Sequence, residues 1–131
     1  WSFRDIQPLY DRLGVTYDNV HGESFFEESV QKILEEGRAK GIFVDGKEGA
    51  WIVLPDDLND PPAVVRKSDG TTLYLTRDLA QMDFFEKEYS PHVRVWVVDV
   101  AQSRHFKQRF EVYKKLRNTP TQFVHVIFGR M

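Results

Sequence analysis

Val93-Arg94-Val95-Trp96-Val97-Val98, then a helix-patterned segment, then Phe123-Val124-His125-Val126-Ile127-Phe128: this order decides the fold class of the chain. Both runs are short, apolar and rich in β-branched and aromatic residues, the composition of strands buried in a sheet. Between them Phe106, Phe110, Tyr113 and Leu116 recur at helical spacing, and Asn118-Thr119-Pro120 stops the helix. A strand, a helix and a strand joined over such a distance form a βαβ unit, with parallel strands and a right-handed crossover. Ligands of these sheets sit beyond the carboxyl ends of the strands, so residues 99–102 and 129–131 fall at one rim. The spacing therefore predicts an α/β fold.

Directly upstream lies Lys67-Ser68-Asp69-Gly70-Thr71-Thr72-Leu73-Tyr74-Leu75-Thr76-Arg77-Asp78-Leu79-Ala80. Ser-Asp-Gly makes a turn, because Gly70 reaches positive φ and Asp69 bonds neighbouring backbone. Thr72 to Leu75 alternates as a short strand and pairs with Ala63 to Lys67 in a hairpin; Thr76 then caps a helix carrying Leu79, Met82, Phe85 and Tyr89 on one face. Tyr74 and Asp78 meet at that strand–helix seam. On residues alone they read as a half-buried tyrosine and a helix-start aspartate.

Earlier in the chain, Ser2 with Asp5 forms a capping box. It opens a stripe of Phe3, Ile6, Leu9, Tyr10 and Leu13 that Gly14 closes and Pro8 kinks or delays. Val15, Tyr17 and Val20 suggest a short strand. Ser24 with Glu27 is a second box, opening a helix with Val30, Ile33 and Leu34 inside and Gly41 at its end. Ile42 to Asp45 and Ala50 to Leu54 flank Gly46-Lys47-Glu48-Gly49 as a hairpin, and 55–62 is an acidic, proline-containing loop.

The chain has 131 residues, of which 41% are hydrophobic and 14% aromatic, enough for one domain with a workable core. A formal charge of -2 argues against gripping nucleic acid by bulk charge. Cysteine is absent, which excludes disulfides and thiolate metal sites. His21, His92 and the acids show no metal-ligand spacing, and Asp45-Gly46-Lys47 is a turn, not a calcium loop. Val93 to Ala101, interrupted by Arg94 and Asp99, is too short to span a membrane.

The Asp-Gly-Thr-Thr-Leu-Tyr-Leu-Thr-Arg-Asp-Leu-Ala run resembles the Tyr-x-x-x-Asp signature of arginyl-tRNA synthetases. Leu9-Tyr10-Asp11-Arg12-Leu13-Gly14-Val15, Tyr17-Asp18 and Gly22-Glu23-Ser24 follow that family's order, as do Gln102-x-x-His105 and His125-x-x-Phe128-Gly129. The resemblance implies the second half of a Rossmann-like class I synthetase core over 76–131, with an inserted α+β portion containing hairpins over 15–75. It also implies an arginine pocket from Glu23, Tyr74, Asp78 and Gln102. A guanidinium is a planar fork of donors, so carboxylates in defined planes recognise it best and distinguish it from lysine. His105, His125, Gly129 and Met131 are then expected at the ATP rim, with no catalytic residue within the chain.

The implied reaction joins arginine to tRNA(Arg) at the expense of ATP accompanied by Mg2+, in the cytoplasm, without membrane or DNA partners. A non-catalytic arginine- or guanidino-binding module on the same fold is the alternative. Both ends read as cuts through a larger protein. The family's His-x-Gly-His motif is expected before Trp1 and its Lys-Met-Ser-Lys-Ser loop after Met131.

Overall fold

The computed structural model describes residues 3–129, without the side chains of Phe3 and Glu23. Helix α1 (Phe3–Leu13) leads through a 3-10 turn (Glu23–Phe26) into α2 (Glu27–Ala39). Strands β1 (Val44–Asp45), β2 (Trp51–Val53) and β3 (Ala63–Arg66) then form an antiparallel sheet in the order β1-β2-β3. Helix α3 (Tyr74–Tyr89) joins it to the βαβ unit of β4 (Val93–Asp99), α4 (Ser103–Leu116) and β5 (Gln122–Phe128). Strands β4 and β5 are parallel and level, with Val93 opposite Gln122 and Asp99 opposite Phe128. The α/β class and the parallel unit agree with the sequence reading.

One apolar core serves both sheets. Helix α2 buries Val30, Ile33, Leu34 and Gly37, a spacing that puts them on a single face. They meet Val53, Ala63 and Val65 of β2 and β3, Leu75, Leu79 and Met82 of α3, and Val112, Tyr113 and Leu116 of α4. Burial holds the Tyr113 phenol well above its usual range. The Arg94 guanidinium lies 4.4 Å from the rings of both Phe85 and Trp96, locking α3 onto the inner face of β4; burial brings its pKa down to about 10.

At the end of α2 the chain folds back so that the amides of Ile42 and Phe43 both donate to the Gly37 carbonyl. Phe43 is thereby buried against the bare Cα of Gly37, and a Cβ there would overlap its ring. Gly37→Ala should therefore lower stability by about 1–3 kcal/mol through overpacking, despite the gain of about 1 kcal/mol in helix propensity. Urea unfolding checks this; an unchanged or higher midpoint would show that Phe43 moves aside freely.

Several local expectations are corrected. Thr72 to Leu75 is no strand: a single antiparallel bridge joins Arg66 to Thr72, and β3 pairs with β2 instead. The helix starts at Tyr74, so Thr76 is interior, and its hydroxyl donates to the Val65 carbonyl. The turn before it is as expected, with Gly70 at φ 87° and the Thr71 amide donating to Asp69 at 2.8 Å. Helix α2 begins at Glu27 rather than at Ser24, because the intervening residues form the 3-10 turn. The 15–20 segment carries no strand. Pro8 lies within an uninterrupted α1, and Ser2 is outside the described residues. The run Val93–Val98 is buried on one face only: Val93, Val95 and Val97 are exposed, whereas Arg94, Trp96 and Val98 are partly buried. Helices α3 and α4 clothe that one side.

Candidate functional site

A groove of about 590 Å³ opens where the carboxyl end of β4 meets the first turns of α3 and α4. Val98 ends the strand side, Gln102 lies in the 3-10 turn that follows, and Tyr74 and Asp78 come from α3. The remaining wall is His105, Phe106 and Arg109 of α4. Because α3 begins three residues earlier than its sequence suggests, Tyr74 and Asp78 lie one turn apart on a shared helix face. That position also excludes Asp78 as a helix cap. Tyr74 is 70% exposed, so its phenol is open to solvent.

His105 and Arg109 are likewise one turn apart on α4 and face Asp78. His105 Nε2 donates to Asp78 Oδ2 at 2.6 Å, and Arg109 Nη2 forms an ion pair with the same oxygen. The Arg109 side chain is only 7% exposed, its guanidinium lies 4.3 Å from the Phe106 ring, and its Nε is buried without a partner. Behind this wall His125 of β5 stacks on Phe106 at 4.4 Å and donates through Nε2 to the Val98 carbonyl at 3.2 Å.

The structure thus gathers Tyr74, Asp78, Gln102 and His105 around one groove, with His125 supporting its aromatic wall from behind. Gly129 follows β5 at the level of the Asp99 rim, away from the groove lining. Met131 and the side chain of Glu23 lie outside the described residues. The backbone turn that contains Glu23 runs to Phe26, which with His21, Tyr74, Arg77, Asp78 and Gln81 borders a smaller adjoining hollow of about 70 Å³.

Arg109 is the site residue that sequence reasoning missed. Its position between Phe106 and Tyr113 falls on the buried stripe of α4, and a charged residue there was the available signal. Among the described residues no cluster of three or more histidine, cysteine or acidic side chains could hold a metal ion. Among the described residues no helix is long and apolar enough to cross a membrane.

The parallel βαβ unit thus opens, at the carboxyl end of β4, onto a groove that carries one carboxylate, a phenol, a carboxamide and the Arg109 guanidinium. The chain belongs to the class I tRNA synthetases of the arginine type, the family described as "tRNA synthetases class I (R), catalytic domain", which matches residues 2–131. It is 39% identical over 129 residues to an arginine–tRNA ligase of Clostridium botulinum (strain Loch Maree / Type A3), covering 98% of this chain and 23% of that protein. Identity to the arginine–tRNA ligase of Clostridium kluyveri (strain ATCC 8527) is 41% over 129 residues, with the same coverage of 98% and 23%. The chain therefore spans less than a quarter of the length of these curated relatives. In fold it superposes on the crystal structure of arginyl-tRNA synthetase from Plasmodium falciparum with a TM-score of 0.84 at 22% identity, over 96% of this chain and 22% of that one.

Proposed function

We propose that this chain contributes the amino-acid side of the active site to an arginine–tRNA ligase, in which the arginine carboxylate attacks the α-phosphate of ATP and arginine then passes to the end of tRNA(Arg). The observation that carries this reading is the convergence of Tyr74, Asp78 and Gln102 on one groove at the carboxyl end of β4. Asp78 supplies the negative charge for the guanidinium, Tyr74 a phenolic oxygen, and Gln102 a carboxamide for the α-amino end. Glu23 is assigned as a second acid for the guanidinium.

In this reading 76–131 is the second half of a Rossmann-like core and 15–75 its α+β insertion. His105, His125, Gly129 and Met131 line or support the side facing ATP. Mg2+ would arrive with ATP, neutralising phosphate charge. The function is cytoplasmic translation, with no membrane or DNA partner. Identity near 40% to arginine–tRNA ligases over almost the whole chain supports the assignment.

Arginine-dependent ATP–pyrophosphate exchange by the full-length protein tests it. The full-length protein should be active, and the 131-residue chain alone should stay at background, because phosphate-stabilising groups commonly contribute several kcal/mol to such transition states. Arginine binding without exchange by the full-length protein would favour the non-catalytic guanidino-binding module. Exchange by the isolated chain would overturn the assignment of phosphate chemistry elsewhere.

A further inference from the structure

We propose that Arg109 is a resident guanidinium that occupies Asp78 in the ligand-free protein, and that arginine enters by exchanging one guanidinium for another. The proposal rests on the arginine reading of this groove. Asp78 is the only carboxylate among the described residues lining the groove, and Arg109 holds one of its oxygens from the groove wall. Arg109 carries the same functional group as the proposed ligand, so it satisfies Asp78 with the same charge and hydrogen-bonding geometry.

Arg109 and an incoming guanidinium meet at one oxygen, Asp78 Oδ2, which already accepts from His105 as well. Arg109 and the ligand therefore compete. The resident pairing is also incomplete, because Nε is buried with no acceptor, a condition that raises the free energy of the occupied state. The guanidinium rests 4.3 Å from the Phe106 ring, a π face that stays beside it when the ligand takes its place on Oδ2. His105, on the same oxygen, remains as the partner that steers the carboxylate.

A competing internal group lowers ligand affinity by the fraction of protein in the competent state. In the full-length protein, Arg109→Met should therefore bind L-arginine roughly tenfold or more tightly by calorimetric titration, a shift within the range of ordinary site coupling. Arg109→Lys, which keeps charge but loses the planar fork, should fall between wild type and Arg109→Met. A cooperative melting transition verifies that each variant is folded. Unchanged or weaker arginine binding by folded Arg109→Met would overturn the proposal, showing that Arg109 only positions Asp78. The arginine-bound wild-type structure is the second test: the Arg109–Asp78 pair should be broken, and a retained pair would refute the exchange. If wild type catalyses arginine-dependent pyrophosphate exchange while Arg109→Met gains nothing, only this inference falls. If neither protein binds arginine, the arginine reading falls with it.

Discussion

Asp78→Asn in the full-length protein should raise the arginine KM on the order of a hundredfold, with ATP KM nearly unchanged. Asparagine keeps the size and one acceptor but removes the charge. Losing one member of a desolvated, charge-assisted pair commonly costs about 2–5 kcal/mol, a factor of tens to thousands in affinity. Asp78 is partly buried, with its side chain 23% exposed, so water compensates only in part. The same substitution strands Arg109, whose side chain is 7% exposed, and melting temperature should fall as well. The two effects separate in a double-mutant cycle: Asp78→Asn with Arg109→Met should recover stability but not arginine recognition. A KM near wild type for Asp78→Asn would mean that the carboxylate serves only Arg109 and His105.

The largest expected loss of stability is at Arg117, just beyond α4. Its guanidinium donates to Glu36 of α2 at 2.5 and 2.8 Å and to Asp83 of α3 at 2.7 Å, so one side chain fastens three helices. Lys40 and Lys87 lie at 2.8 and 2.6 Å from the same two acids. Arg117→Met should destabilise the chain by about 2–3 kcal/mol, below the about 3–5 kcal/mol of a fully buried pair because the side chains are partly wet.

Acid sensitivity should report the same site. Hydrogen bonds from Arg117 and then Lys40 lower the Glu36 pKa from 4.5 to about 2. Burial raises Asp83, but Arg117 and Lys87 outweigh it and leave that carboxyl below its usual value. Carboxyls depressed in the folded state contribute their full stability above the ordinary carboxylate range. That contribution is lost as pH falls from 4.5 toward about 2. Urea midpoints should therefore drop across this window, and Arg117→Met should shallow the drop. A variant with wild-type stability and an unaltered acid limb would show that the lysines alone satisfy both acids.

The parallel unit was legible because Val93–Val98 and Phe123–Phe128 are longer than the ambiguous runs elsewhere. The intervening helix also had a clear apolar stripe. Tyr74 and Asp78 were legible as neighbours, but for the wrong local reason. Four alternating residues, Thr72 to Leu75, cannot be told from the approach and first turn of a helix by periodicity alone. Tertiary context decided it: the Thr76 side chain is fully buried in the first turn of the helix, and its hydroxyl donates to the Val65 carbonyl. The 3-10 turn at 23–26 displaced the expected capping box for a similar reason, since aromatic packing of Phe26 against Phe84 fixes that segment. Arg109 escaped notice because an apolar stripe draws attention to its apolar members. A charge inside it becomes informative only once its partner, on a helix far away in sequence, is known.

The shared core has a consequence for how this region responds to change. Topology separates the antiparallel hairpins from the βαβ unit near residue 75, and a chain diagram invites treating them as two modules. Val53 and Val65 on one side and Val112, Tyr113 and Leu116 on the other nevertheless belong to a single apolar cluster. Cooperativity follows contacts rather than connectivity. Loosening the hairpins should therefore also loosen α4, the helix that carries His105 and Arg109, as amide exchange of α4 in a Val65→Ala variant would report. Val65, with no place in the groove, packs in the same cluster as Leu79 of α3 and Val112 of α4, the two helices that carry the site.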